Sequence, residues 1–414
     1  MTPPDVGWRL SRLLAAPHRL AFVAGAGVFA ASGLWWLGVL LARPAGLPVP
    51  WAVPPLVAHG LWWTLGFMPL FIVGFLFTAG PRWLGLPDVD ARTLRWPVSA
   101  MVAGWVLALP GWHLAAPLAA AGLLLVAAGW AALLVHFTML LRRSPAPDRL
   151  HATLVAASGG VGLLAMALAV WSLGHRDVTL ARVATQLALW GFIAPTFAVV
   201  SHRMLPFFTA SALPGHTAWR PGWVLTALLA VLGVQGAGAI AGLLGLPPPA
   251  PLQAAVEAPA ALLCLWLAWR WGFVQSRSNR LLAMLHAGFV WLGLATALAA
   301  ASHALQAASG GERSLGLAPL HALTAGYLGA TLLAMVTRVS AGHSGRPLAA
   351  DGIAWGLYWA LQAAAVLRVA AALWPAAEAL LTPLAALAWA LAACGWTLRY
   401  GGWLGRPRVD GRPG

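Results

Sequence analysis

The sequence predicts an all-α integral membrane protein that crosses the bilayer many times, and three observations lead to this class. Hydrophobic residues make up 61% of the 414 residues, whereas charged residues make up only 8%. A soluble fold of this length needs a more polar surface. Apolar runs of membrane-spanning length recur along the whole chain. These runs are continuous rather than alternating, which excludes a β-barrel.

We predict about twelve spans in a single transmembrane helical domain that covers residues 1–414. No loop is longer than about twenty residues, so no extramembrane domain is expected. The spans lie at roughly 20–42, 55–79, 97–112, 114–141, 151–174, 180–201, 219–246, 252–275, 281–308, 317–341, 352–373 and 376–399.

Local signals support these spans in chain order. The first apolar run is followed by residues 43–44, Arg-Pro, and is long enough to cross the bilayer, so we interpret it as a retained helix and not as a cleaved signal. The third span is short, and only residues 111–113 separate it from the fourth. The glycine pair 159–160 is typical of a packing site, and the proline pair 248–249 predicts the turn between the seventh and eighth spans.

The arginines predict the orientation of the chain. The net charge of +15 comes from arginine alone, because the sequence has no lysine. With the N-terminus inside, 20 of the 25 arginines fall on the inner side and five on the outer side. We therefore expect both termini in the cytoplasm. The basic charge is explained by topology, so the expected partner is membrane lipid and not nucleic acid.

The tenth span carries the densest pattern of polar residues. His321 and His343 stand at its two ends, 22 residues or about 33 Å of helix apart, which is about one hydrocarbon thickness. On an ideal helix, one face carries His321, Thr324, Leu328, Thr331, Met335 and Arg338, and a second carries Ala322, Gly326, Ala330 and Ala334. Small residues at four-residue spacing let another helix approach closely.

Histidines are the candidate functional residues, because an ionisable side chain inside a membrane is costly and usually functional. The spans place them at two levels. His59 and His321 open the second and tenth spans at the outer side. At the inner side, His202 closes the sixth span, His286 lies one or two turns into the ninth and His343 closes the tenth. Neutral imidazole is a common ligand of haem iron and of copper.

Each histidine also has an ordinary alternative, in which it satisfies carbonyls at a helix end or lies at the lipid interface. We leave His303 open and assign the ordinary role to His18, His113, His136, His151, His175 and His216. Arg203 and Arg338 either pair with haem propionates or anchor helix ends. The chain has no CxxC and no CxxCH motif, so no iron–sulfur cluster, zinc site or covalently attached haem is expected.

Four stretches of the chain resemble characteristic segments of the NnrS family. Residues 321–348 resemble its most characteristic motif, 285–292 are similar to its LHxGYxWL segment, 203–209 to its GRxxPxFT segment and 66–79 to its second span. The likeness covers nearly the whole chain. It implies a twelve-span bacterial inner-membrane protein with haem and copper, associated with the nitric oxide response and denitrification.

The chain departs from the family pattern at the start of the second span. The family commonly carries HxHE there, whereas this chain has His59 followed by Gly60, Leu61 and Trp62. Leucine and tryptophan do not donate to a metal. If the two replaced groups hold copper in the family, this chain is expected to keep only haem. His202 stands where the family usually has glycine, and it is a further candidate metal ligand.

We therefore predict a protein of the bacterial inner membrane that binds haem b, with copper left open as a second cofactor, and that protects against nitric oxide or nitrosative stress. The predicted cofactor and metal ligands are His59, His202, His286, His321 and His343, with Arg203 and Arg338 as cofactor-binding residues. Two alternatives remain: a transporter without haem, supported by span number and helix-breaking prolines, and a redox enzyme that oxidises quinol, supported by histidines at two depths. Catalysis and the electron donor are left open by the sequence.

Overall fold

The structure is a computed structural model that describes residues 7–412, and this part of the chain is helical throughout its membrane-length segments. Eleven helices among the described residues are long and apolar enough to cross a membrane. The first six long helices are α1 (Pro17–Ala42), α2 with α3 (Pro55–Leu65 and Phe67–Trp83), α4 (Arg95–Leu114), α5 (Ala116–Arg143), α6 (Leu150–Gly174) and α7 with α8 (Val178–Leu187 and Ala194–Ala212).

The second half of the chain repeats this up-and-down arrangement. Its helices are α9 (Gly222–Leu243), α10 (Ala250–Arg270), the short α11 (Phe273–Ser276), α12 (Arg280–Ala308), α13 with α14 (Ala318–His321 and Ala330–His343), α15 (Gly352–Leu373) and α16 (Glu378–Leu404). Twelve long helical segments thus stand where twelve spans are predicted. The described part of the chain is all-α, as the sequence predicts.

Helix α4 is the one long segment that is not among the eleven, because its ends carry polar and interrupting residues such as Arg95, Pro97 and His113. It has 20 residues, which is about 30 Å of helix. It packs antiparallel to α5 with the two backbones in contact: a Cβ added to Gly104 would lie 2.4 Å from the carbonyl oxygen of Gly122. The expected separator 111–113 is helical, and the chain turns at Ala115 instead.

Three of the long helices are irregular. The second bends at Gly66, whose φ of −82° and ψ of −97° separate α2 from α3. Two others contain π-helical segments, at Ala188–Ile193 between α7 and α8 and at Ala322–Gly329 between α13 and α14. A π segment changes the rotation of the helix at that point. The tenth span is therefore one continuous helix, but His321 does not share a single regular face with Arg338.

The small-residue ridge predicted in the tenth span is buried at all four of its positions. Gly326 lies against the Trp291 ring, since an added Cβ would be 2.5 Å from that ring. Helices α12 and α14 meet most closely where Gly288 faces Thr331, with an added Cβ 3.0 Å from the Thr331 backbone nitrogen. Close contact of backbones supplies the dispersion energy that holds helices together in lipid.

The first and last helices lie side by side. The Thr397 hydroxyl donates to the Ala26 carbonyl at 3.0 Å, and Arg19 donates from Nη1 to the Arg406 carbonyl at 2.8 Å. The Arg9 backbone N–H donates to the Gly405 carbonyl at 2.9 Å. The two ends of the described chain therefore meet at one face of the bundle. That this face is cytoplasmic stays a prediction from the arginine distribution.

Candidate functional site

His59 lies on α2 between two tryptophan rings. Its ring centroid is 4.1 Å from Trp36 in a stacked arrangement and 4.3 Å from Trp63. Its Nδ1 atom is buried, and none of the described residues gives it a hydrogen-bond partner. The ring lies in the second turn of α2, close to the start of the helix, where prolines 54–55 fix the direction of the chain. Two aromatic rings thus enclose an imidazole whose Nδ1 has no hydrogen-bond partner within residues 7–412.

His321 lies at the end of α13, immediately before the π segment. Its Nε2 atom is also buried and, within residues 7–412, has no hydrogen-bond partner. The same holds for Nη1 of Arg368 on α15. The charge of Arg368 acts on both imidazoles, and His59 acts electrostatically on His321. His59, His321 and Arg368 therefore lie close enough to interact electrostatically, while the role of the two histidines as ligands stays a prediction.

The two positions that depart from the family pattern have become packing positions. Leu61 and Trp62 are both buried, and the Trp62 ring lies parallel to Trp105, with centroids 6.0 Å apart and an interplanar angle of 3°. The ring centroids of Trp62 and Trp35 are 5.3 Å apart. On a helix of 3.6 residues per turn, Leu61 points away from His59, whereas Trp62, three positions after it, lies on the same side. The lost donors are replaced by an apolar tryptophan cluster, which offers a metal no ligands.

At the inner level, His343 is the neighbour of His18. Their ring centroids are 4.6 Å apart, and Nδ1 of the buried His18 has no partner among the described residues. The end of α14 is held by the C-terminal segment, in which Arg408 donates to the His343 carbonyl at 3.2 Å. The hydrogen bond from Arg408 holds the pKa of Asp410 well below its usual range. Sequence reasoning gave His18 an ordinary helix-end role, because nothing local connects it to a residue 325 positions away.

His286 is fully buried in α12, and its tautomer follows from its partners. The Thr209 hydroxyl donates to the Leu205 carbonyl at 2.9 Å. It has no second proton, so at the 2.8 Å contact His286 Nε2 must be the donor. Nδ1 is then a bare lone pair, and it has no partner in the described structure. His286 is thus available as a ligand, but its surroundings differ from those of His343, so these two predicted ligands do not form one visible pair.

His202 uses both of its ring nitrogens in hydrogen bonds. Nε2 donates to the Pro221 carbonyl at 3.1 Å, so Nδ1 accepts from His151 Nε2 at 3.0 Å. In this arrangement neither ring nitrogen of His202 has a lone pair available for a metal. Its role as a metal ligand stays a prediction, and it would require one of these hydrogen bonds to break. It also does not close its span, because α8 continues to Ala212.

The two predicted propionate partners stack on aromatic rings. The guanidinium carbon of Arg203 is 4.8 Å from the Trp83 ring centroid, and that of Arg338 is 4.1 Å from Phe208. Cation–π contact stabilises a charge in a site with little water while leaving the edges of the guanidinium for an anion. Both roles proposed from the sequence therefore remain compatible with these positions.

Sequence reasoning missed Glu257, which accepts a hydrogen bond from the open candidate His303 at 2.7 Å and is 2% exposed. The signal was present. Glu257 is the one acidic residue that lies well inside a predicted apolar span, and such a residue is a functional candidate by default. No recognisable motif surrounds Glu257, and it is not an imidazole ligand, so the sequence pattern around it does not single it out.

Comparison with known proteins gives one informative match. The model of the family described as NnrS protein matches residues 12–408, which is nearly the whole chain. No curated protein matches the sequence.

Proposed function

The chain belongs to the NnrS family of membrane proteins, and from this premise we propose that it binds haem b in the bacterial inner membrane and acts in the response to nitric oxide. His59 and His321 are the proposed axial ligands. Nitric oxide, or a similar small gas, is the proposed ligand of the iron. The multi-pass architecture is consistent with a role carried out inside the bilayer.

One observation carries this proposal: two buried imidazole nitrogens, His59 Nδ1 and His321 Nε2, share one environment and have no partner in the described chain. A buried polar atom without a hydrogen bond costs about 1–3 kcal/mol. A bound group that contacts both of these atoms would remove this cost and so stabilise the folded protein. Iron is a suitable group, since neutral imidazole is its common protein ligand in haem proteins.

The surrounding residues fit the rest of a porphyrin. Trp36 and Trp63 provide flat apolar walls beside His59. Arg368 offers a guanidinium with a free Nη1, which suits a propionate carboxylate. The bound iron would supply the binding position for a diatomic gas, which would have to displace one of the two imidazoles. The protein's own part is to hold the two imidazoles neutral, keep water out with tryptophan rings and balance the propionate charge.

His286, His343 and the arginines at the inner level support a second proposal of lower rank. His286 Nδ1 and His18 Nδ1 are free nitrogens at this level, and His343 lies beside His18. We keep Arg203 and Arg338 as the anion partners of any cofactor bound there. We thus propose one cofactor at the outer level and rank a second one at the inner level below it.

Purified protein should contain haem but little copper. We expect a Soret band, a shift of that band when the reduced protein meets nitric oxide, and about one haem per polypeptide, because one ligand pair is preformed. Copper should be below about 0.1 per polypeptide, because Leu61 and Trp62 provide no donors at the family's HxHE positions. The measurement is absorption spectroscopy with elemental analysis of the detergent-purified chain.

The two alternatives give different results in the same experiment. A colourless, well-folded and monodisperse protein would contradict haem binding and favour a transporter. Stoichiometric copper would show that other residues, such as His18 and His343, replace the lost donors. The quinol-linked alternative is compatible with haem binding, because a quinol would bind in a separate cavity.

A further inference from the structure

A cavity of about 350 Å³ lies beside the helix that carries His321. Pro319, Leu320 and Leu323 of that helix line it, so it is at the same membrane level as the proposed haem ligands. None of His59, His286, His321 and His343 is in its lining. Its polar lining residues are Glu257, Ser302, His303 and four glutamines, Gln186, Gln235, Gln253 and Gln306. This volume and this mixture of apolar walls with a few polar groups are typical of a small-molecule site.

Glu257 and His303 form an oriented acid–base pair in this cavity. Glu257 Oε1 accepts from Gln235 at 3.3 Å and Oε2 accepts from His303 Nδ1 at 2.7 Å. With Nδ1 committed to the carboxylate, Nε2 is the His303 nitrogen left for a ligand. A buried carboxylate that fixes the tautomer of an imidazole and stabilises its protonated form makes that imidazole an effective general base.

Both π-helical segments of the described chain border the cavity. Trp190 belongs to Ala188–Ile193, and Leu323 belongs to Ala322–Gly329. Insertions of this kind in a helix occur mostly at functional sites. The cavity therefore lies beside both π-helical interruptions.

The rim of the cavity suits a ligand that comes from the membrane. One side is the hairpin 244–249, which has no charged residue and exposes Leu244 and Leu246, while Pro247 and Pro248 line the cavity. An uncharged loop with exposed leucines is stable in the lipid interface and not in water. A ligand that enters past this uncharged loop meets apolar surface, which suits an amphiphile.

We infer that this cavity binds a membrane quinol, with His303 as the base that takes its hydroxyl proton and Glu257 as the residue that positions His303. The electron-transfer part rests on the proposed haem. Oxidation of one quinol to quinone releases two electrons and two protons. The proposed haem would supply the electron acceptor, and because one ferric haem takes one electron, the two electrons of a quinol would reduce the haems of two protein molecules. His303 Nε2 accepts the first proton, releases it to water at the cavity mouth and then accepts the second.

The test measures binding of decylubiquinol to the full-length purified protein, with both held reduced under argon so that no electrons move. His303→Asn keeps an amide N–H near the position of Nδ1, so Glu257 stays paired, and removes Nε2. We expect at least about tenfold weaker binding in calorimetry, because the quinol hydroxyl loses its acceptor. His175→Asn is the matched control, since His175 is an exposed histidine whose Nδ1 contacts the Trp171 carbonyl. It should bind like wild type.

A second variant keeps the test decisive if His303→Asn folds poorly. Glu257→Gln retains the shape of the side chain but removes the carboxylate that orients His303 through Nδ1. Its single-turnover haem reduction by decylubiquinol should be slower by about tenfold or more, with a changed pH profile, as for loss of a general base. Quinol binding that is absent, or equal in wild type and both variants, would overturn the inference. A Soret band without quinol binding refutes only the cavity, and quinol binding without a Soret band refutes only the proposed haem.

Discussion

Replacing His321 with alanine is expected to remove most of the bound haem from the purified protein. The variant loses one of the two imidazoles at the outer level, and the remaining His59 must then hold the iron alone. Haem content per polypeptide should fall by about tenfold or more, which is at least the effect of disturbing a metal's supporting shell. His59→Ala should do the same. Haem extraction and Soret absorbance normalised to protein are the measurements.

Two control variants separate ligation from folding. His175→Ala changes an exposed histidine on the same membrane side and should leave haem content unchanged. His202→Ala removes an imidazole whose two nitrogens are hydrogen-bonded within the protein. It should reduce stability without removing the outer haem. If His321→Ala retains a full complement of haem in monodisperse protein, the outer-level assignment is wrong.

Replacing Gly104 with leucine should prevent the helical hairpin of α4 and α5 from closing. An added Cβ would lie 2.4 Å from the Gly122 carbonyl oxygen and 2.9 Å from the Val126 backbone nitrogen. Backbone atoms do not yield as flexible side chains do, so the helices must separate. We expect the free energy of unfolding to fall by about 3 kcal/mol or more, which is at or above the upper end of the range for overpacked cores. Monodisperse yield and melting temperature in one detergent measure it.

Gly160→Leu is the matched control, because Gly160 is also in a long apolar helix and an added Cβ would meet nothing within 4 Å. Its yield and melting temperature should stay close to wild type. Equal behaviour of the two variants would mean that α4 does not pack on α5 as described. It would also weaken the case that the least apolar of the twelve helices belongs inside the bundle.

The sequence was sufficient for the helices but not for their irregularities. Apolar length predicts where a chain crosses the membrane, and twelve long helical segments lie where the spans are predicted. Apolar length does not predict whether a helix ends at Gly111 or His113, because both residues can also continue a helix. The structure places the turn at Ala115. The π segment after His321 has no composition signal. It depends on packing, and it breaks the regular face derived for the tenth span.

The candidate site was predictable where a motif or a helix end marked it. His59 and His321 were placed together because both open spans on the same side. His18 beside His343 and Glu257 beside His303 were not predicted, because these contacts join distant parts of the chain. The departure at Leu61 and Trp62 was visible as a loss of donors. Only the structure shows what replaced them, a cluster of tryptophans in which Trp62 is parallel to Trp105 and tilted against Trp35.

Chemical rescue is the most direct test that imidazoles at the outer level hold iron. His321→Gly should lack the wild-type Soret band, and added free imidazole should restore it when haem is supplied, because the small base can occupy the space left by the ring. His175→Gly with imidazole provides the background. Recovery of the wild-type spectrum only in His321→Gly is the result we predict. A His321→Gly protein whose spectrum equals wild type before imidazole is added would contradict the assignment of His321 as an iron ligand.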